Sequence, residues 1–137
     1  MWVIYALLSA FFAALTAIFA KVGVQNVNSN LATAIRTIIV LILIWGIVLF
    51  RGEAKGLANI NKYSLTFLIL SGLATGFSWI FYFKAIQIGN VSQVALIDKL
   101  SVVLTLILAA VFLGEPFTPK VIAAMVLIVS GVIVLIW

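Results

Sequence analysis

The chain contains no cysteine and no histidine. The first absence excludes disulfides and thiolate chemistry and leaves the redox compartment open. The second removes the commonest metal ligand, and no metal site or cofactor is expected. Charge is scarce too. Asp, Glu, Lys and Arg make up 8% of the 137 residues, against about 25% in soluble domains. The carboxylates are Glu53, Asp98 and Glu115. With so few acids, and with no serine elbow or phosphate loop, the sequence does not read as an enzyme.

Apolar residues dominate instead, at 66% of the chain, where a soluble domain holds about 45–50%. There is too little polar surface to keep a folded globule in water, so the lipid bilayer is the expected solvent. The net charge of +5 then follows from membrane topology, which gathers Lys and Arg in cytoplasmic loops, and no nucleic-acid partner is expected.

About 20 apolar residues cross the hydrocarbon core as a helix, and five such segments fit, at about 2–22, 31–50, 63–85, 91–113 and 119–137. The first has no basic region before it and is too long for the core of a signal peptide, about 7–15 residues, so a retained helix is expected. Polar turns separate the spans: Gln25 to Asn30, Arg51 to Lys62, Gly89-Asn90, and Gly114-Glu115-Pro116. Gly suits a helix C-cap and Pro cannot continue a helix. No soluble domain is left over, and 1–137 reads as a single membrane domain. Arg51, Lys55, Lys62 and Lys120 fall on one side, Lys21 and Lys84 on the other. That bias places the N-terminus in the cytoplasm, and a bias this small is compatible with dual topology.

Within the fourth span lie Asp98 and Lys99. An ionisable group at membrane depth costs about 2.5–3.5 kcal/mol on insertion scales and marks a substrate or ion path by default. Helix neighbours point about 100° apart, so the two do not pair in a regular helix. Either the helix breaks there or each side chain finds another partner. Asp98 then carries a coupling proton, or the pair meets a zwitterionic substrate; the structural alternative is a buried ion pair such as Asp98 with Arg36.

Arg36 lies inside the second span. It either snorkels to the interface or clamps an anionic group bidentately. Lys21 and Lys84 are read as interface anchors, with a cavity role as the alternative. Four cations against one acid near the membrane favour an anionic or zwitterionic substrate. Gly76, with Gly72 at GxxxG spacing, suits close helix packing or lines a cavity beside Trp79 and Tyr82, whose rings offer stacking and cation–π surface. Trp2, Tyr63 and Trp137, at span ends, read as interfacial belt residues.

An odd number of spans is what one half of an inverted-repeat transporter needs. No internal repeat is visible, so a second half comes from an antiparallel copy or from an inverted five-helix partner.

Phe112-Leu113-Gly114-Glu115-Pro116, followed by an apolar helix with Ser130-Gly131, resembles the closing segment of the EamA domain of the drug/metabolite transporter superfamily. Tyr82-Phe83-Lys84-Ala85 through Gly89-Asn90-Val91-Ser92 resembles its third-to-fourth helix turn, and the stretches Ser29–Thr37, Leu70–Gly76 and Ile97–Ser101 are similar to single-domain members. The resemblance implies an all-α bundle of five transmembrane helices, half of a ten-helix architecture, in a prokaryotic inner membrane. It implies alternating-access transport of small metabolites. Two-domain members usually carry proline where Asp98-Lys99 stands here, so their substrates do not transfer. A non-transporting structural or regulatory subunit and a passive channel are the competing readings.

Overall fold

The computed structural model describes residues 1–137 and contains helices and no strand. The order is α1 (Trp2–Val24), α2 (Ser29–Phe50), a 3-10 helix (Glu53–Asn59), α3 (Lys62–Ile88), α4 (Val91–Asp98), α5 (Leu100–Leu113) and α6 (Pro119–Ile136). With α4 and α5 taken as one stretch, five spans are long and apolar enough to cross a membrane. The fold is the all-α, five-span membrane architecture that the hydropathy predicts.

The helix ends follow from local chemistry. Asn28 caps α2: its Oδ1 accepts from the Asn30 and Leu31 amides at 2.9 and 3.4 Å. That cap starts α2 at Ser29, earlier than the first apolar residue, Leu31, suggests. Asn61 does the same for α3, accepting from Ser64 N at 2.7 Å. α3 runs on to Ile88 rather than ending at Ala85, because its breaker is Gly89-Asn90. Gly114 ends α5 at φ 70°, a left-handed conformation that costs other residues about 1–2 kcal/mol. Thr118 caps α6, its hydroxyl accepting from Val121 N at 3.3 Å, and Pro119 stands at the first turn.

The fourth span is interrupted. The α-helical pattern stops at Asp98 and resumes at Leu100, with Lys99 at φ −66°, ψ −12°. Tighter turns bridge the gap: Lys99 N donates to Leu96 O at 3.1 Å, and Val102 N to Lys99 O at 3.0 Å.

The helices form two compact units, Met1–Ile88 and Gly89–Trp137. In the first, α1, α2 and α3 pack on one another, and the 3-10 helix packs on α2. Its buried residues are Ala17, Ala20 and Val24 of α1, Ser29 and Thr33 of α2, and Phe83 and Ile86 of α3. They come from the last turns of α1 and α3 and the first turns of α2, so the core sits at the end that holds the α1–α2 turn. Small residues on α1 let the neighbouring backbones close in. The hydroxyl of Thr33 donates to Ser29 O at 2.8 Å, and that of Thr37 to Thr33 O at 2.8 Å, which satisfies them within the helix where no water is at hand. In the second unit, α4, α5 and α6 contact one another, and Val132 is its buried residue. Most of the other large apolar side chains are exposed and the rest half-buried, as expected where hydrocarbon rather than protein covers the outer face.

Candidate functional site

The site is built in the first unit, at its packed end, around Arg36. This residue stands seven positions after Ser29, the first of α2, or about 10 Å along the axis. Its guanidinium carbon lies 4.7 Å from the ring centroid of Phe83 and 5.1 Å from that of Trp79. Both rings come from α3. Their i, i+4 spacing puts them on one face, one above the other, so a single cation reaches both. Phe83 is 2% exposed and Trp79 half-buried. Tyr82 stands against Phe83 edge-on, with centroids 6.2 Å apart.

Magnitudes show what the rings do for the charge. Holding an arginine at membrane depth costs about 2.5–3.5 kcal/mol. A cation–π contact returns about 0.5–1 kcal/mol at an exposed site and about 2 when desolvated. Two rings therefore offset much of the cost of the charge, but they do not satisfy its hydrogen-bond donors. The five N–H donors lie in the guanidinium plane. No carboxylate answers them: the chain's ion pair joins Arg51 and Glu53 at 2.9 Å, and Glu53 is the only acid of the first unit.

Beside Arg36 opens a cleft of about 450 Å³. α1 contributes Thr16, Phe19, Ala20, Gly23 and Val24; α2 contributes Ala32, Ile35, Arg36, Ile39 and Val40; Phe83 of α3 and Val27 of the α1–α2 turn complete it. The walls are hydrocarbon apart from Thr16 and the guanidinium. Such a cleft can hold an anionic group on Arg36 and apolar matter along its walls.

Two polar side chains lock the end of the unit beneath it. Lys21 Nζ donates to Ile86 O at 2.8 Å. Gln87 Nε2 donates to Val24 O at 3.1 Å and to Val27 O at 2.8 Å. The carbonyls at the ends of α1 and α3 lack intrahelical donors, and these side chains supply them.

The residues singled out in the sequence are thus distributed unevenly. Arg36, Trp79 and Tyr82 gather with Phe83. Lys21 lies in the last turn of α1 and is engaged with α3. Lys84 is exposed on α3, next in sequence to Phe83 but outside the ring cluster. Gly76 is half-buried one turn before Trp79, and Gly72 is exposed. A Cβ added to either glycine would meet nothing within 4 Å, so the GxxxG pair serves no close helix packing inside the chain. Asp98 and Lys99 are exposed in the second unit, at the α4–α5 interruption.

Phe83 and Gln87 were not among the residues singled out. Phe83 is visible in retrospect as the i+4 partner of Trp79. Gln87 is visible as a lone amide in the last turn of an apolar helix, next to a turn with open carbonyls.

Comparison with known proteins gives the site its setting. Residues 1–137 match the EamA-like transporter family. Over 114 residues, 83% of this chain and 81% of the other, the sequence is 51% identical to a Sinorhizobium protein described as an uncharacterized transporter in the cobO 3′ region. No solved structure matches.

Proposed function

We propose that this chain, which belongs to the EamA-like transporter family, is a secondary active transporter that moves a small anionic or zwitterionic metabolite by alternating access. Family membership makes it a membrane transporter; the mechanism and the charge of the cargo are our reading. The observation that carries the reading is Arg36. A cation at membrane depth, held on two aromatic faces and without a carboxylate in its own unit, is suited to recognising an anion.

The working unit in this reading is an antiparallel dimer. Five spans supply one half of an inverted-repeat architecture, and a second chain inserted the other way supplies the rest. The small Lys/Arg bias between the two sides supports insertion in both orientations. Asp98, at the interruption between α4 and α5, carries the coupling proton, and Lys99 balances its charge. Broken spans at transport sites expose helix ends and backbone to a coupling ion. Lys21, Lys84, Tyr82 and Gly76 border the path, and the membrane is a prokaryotic plasma membrane.

Topology and flux test this together. Single cysteines at Asn26 and Lys55 are labelled from each side of intact membranes, then crosslinked. Labelling of both positions from both sides, with a crosslinked dimer, supports the antiparallel unit, whereas labelling from one side only overturns it. In proteoliposomes, labelled carboxylates, amino acids and a quaternary ammonium ion are offered under a pH gradient. Gradient-driven uptake of an anion or zwitterion supports the reading. Uptake confined to the quaternary cation overturns the substrate charge. Flux indifferent to the gradient overturns secondary transport in favour of a passive channel.

A further inference from the structure

We infer that the cleft between α1 and α2 binds an amphipathic organic anion, with the carboxylate or phosphate head on Arg36 and a single apolar chain or ring along the cleft walls. This deepens the transport reading by naming the substrate class, and it rests on that reading only for the statement that the bound molecule is cargo.

Three observations converge. The rings of Trp79 and Phe83 stand 5.1 and 4.7 Å from the guanidinium carbon and answer its charge, but two rings do not satisfy its five N–H donors. A carboxylate or phosphate satisfies them bidentately. The first unit carries Lys21, Arg36, Arg51, Lys55, Lys62 and Lys84 against Glu53, and Glu53 is bound to Arg51. The unit therefore lacks an internal counter-ion for Arg36. Finally, the cleft is not a polar one. Phe19, Ile35, Ile39 and Val40 line it, with Thr16 as the uncharged polar side chain. A small hydrophilic anion would satisfy Arg36 and leave these walls unmatched; a molecule with an apolar tail matches both.

The size of the cleft selects the source. At about 450 Å³ it falls toward the lower end of small-molecule sites, about 300–1,000 Å³. It suits one chain or ring system, and the occupant is a free single-chain anion rather than a two-chain phospholipid of the surrounding bilayer.

The test uses the full chain in nanodiscs of phosphatidylcholine, with radiolabelled dodecanoate as the probe and empty nanodiscs as the background. Saturable binding is expected. Arg36→Gln should weaken it about tenfold or more, since hydrogen bonds to charged groups are the strong ones. Dodecyl phosphate should compete, and dodecanol and dodecyltrimethylammonium should not. Gly23→Leu gives a second handle away from the charge. A Cβ at Gly23 meets nothing within 4 Å and the residue lines the cleft, so a side chain there starts in open space and narrows the cleft. It should weaken dodecanoate several-fold although the cation is untouched.

Equal binding by Arg36→Gln, confirmed as folded by circular dichroism, overturns the inference, as does displacement by dodecanol. Loss of dodecanoate binding on doping the disc with phosphatidylglycerol assigns the cleft to membrane lipid and overturns the choice of source. The two readings fail separately. Saturable binding without flux leaves the inference standing and removes transport. Gradient-driven uptake of hydrophilic anions without dodecanoate binding does the opposite.

Discussion

The ammonium of Lys21 donates at 2.8 Å to the main-chain carbonyl of Ile86, tying the end of α1 to the end of α3. Ile86 is fully buried, so no water replaces the donor when it is lost. Lys21→Met keeps the length of the stem and removes the charge. It is expected to cost about 1–3 kcal/mol, the penalty of a buried carbonyl left unpaired, and to lower the thermal unfolding midpoint in detergent. Gln87→Leu, which strips the donor from Val24 O and Val27 O, should do the same. An unchanged midpoint in both would show that the end of the unit is held by packing alone.

The aromatic pair under Arg36 separates packing from recognition. Phe83→Leu keeps most of the buried hydrocarbon but removes a ring face worth about 0.5–1 kcal/mol to the cation. Trp79→Leu does likewise on a half-buried side chain. Both are expected to loosen binding of dodecanoate a few-fold by freeing the guanidinium plane, with Phe83→Leu also destabilising the fold. Equal affinity in both, measured by the same nanodisc assay, would show that the rings serve only to stabilise the charge.

A methyl group added at Gly72 or Gly76 meets nothing within 4 Å. Alanine is the better helix former by about 0.8–1.0 kcal/mol. Gly72→Ala and Gly76→Ala should therefore leave the single chain as stable or slightly more so. If the face meets a second copy, the same variants should lower the yield of crosslinked dimer. A fall in stability of the dilute, uncrosslinked chain would contradict the first expectation.

Asp98→Asn is expected to abolish uptake driven by a pH gradient while leaving assembly intact, because the side chain is exposed and carries no packing. Counterflow, which needs no gradient, should survive. Retained pH-coupled uptake in this variant would remove Asp98 from the proton path.

Hydropathy made the five spans legible, since a stretch such as Leu31–Phe50 has no alternative fold in which its backbone and side chains are both satisfied. The adjacent charges of Asp98 and Lys99 also announced trouble in a regular helix, and the α-helical pattern does break at Lys99. α2 starts two residues before its first apolar residue, Leu31, because Asn28 caps it from the polar turn. The glycine pair pointed to internal packing that the chain does not use, because spacing alone does not say which neighbour approaches. Arg36 stood out by its depth, but its partners did not. A cation–π site depends on two helices coming to the right depth, and Phe83 looks in sequence like any other lipid-facing phenylalanine.

The buried residues of α1–α3 are few and gathered at one end. Over most of each helix, exchange among leucine, isoleucine, valine and phenylalanine alters little that the chain itself can sense. A saturation mutagenesis map would then be sharply two-toned, permissive along the lipid-facing lengths and intolerant in a short band from Ala17 to Val24, Ser29 to Arg36 and Trp79 to Gln87. That band holds both the mechanical anchor and the cation, so selection for folding and selection for cargo act on the same few positions.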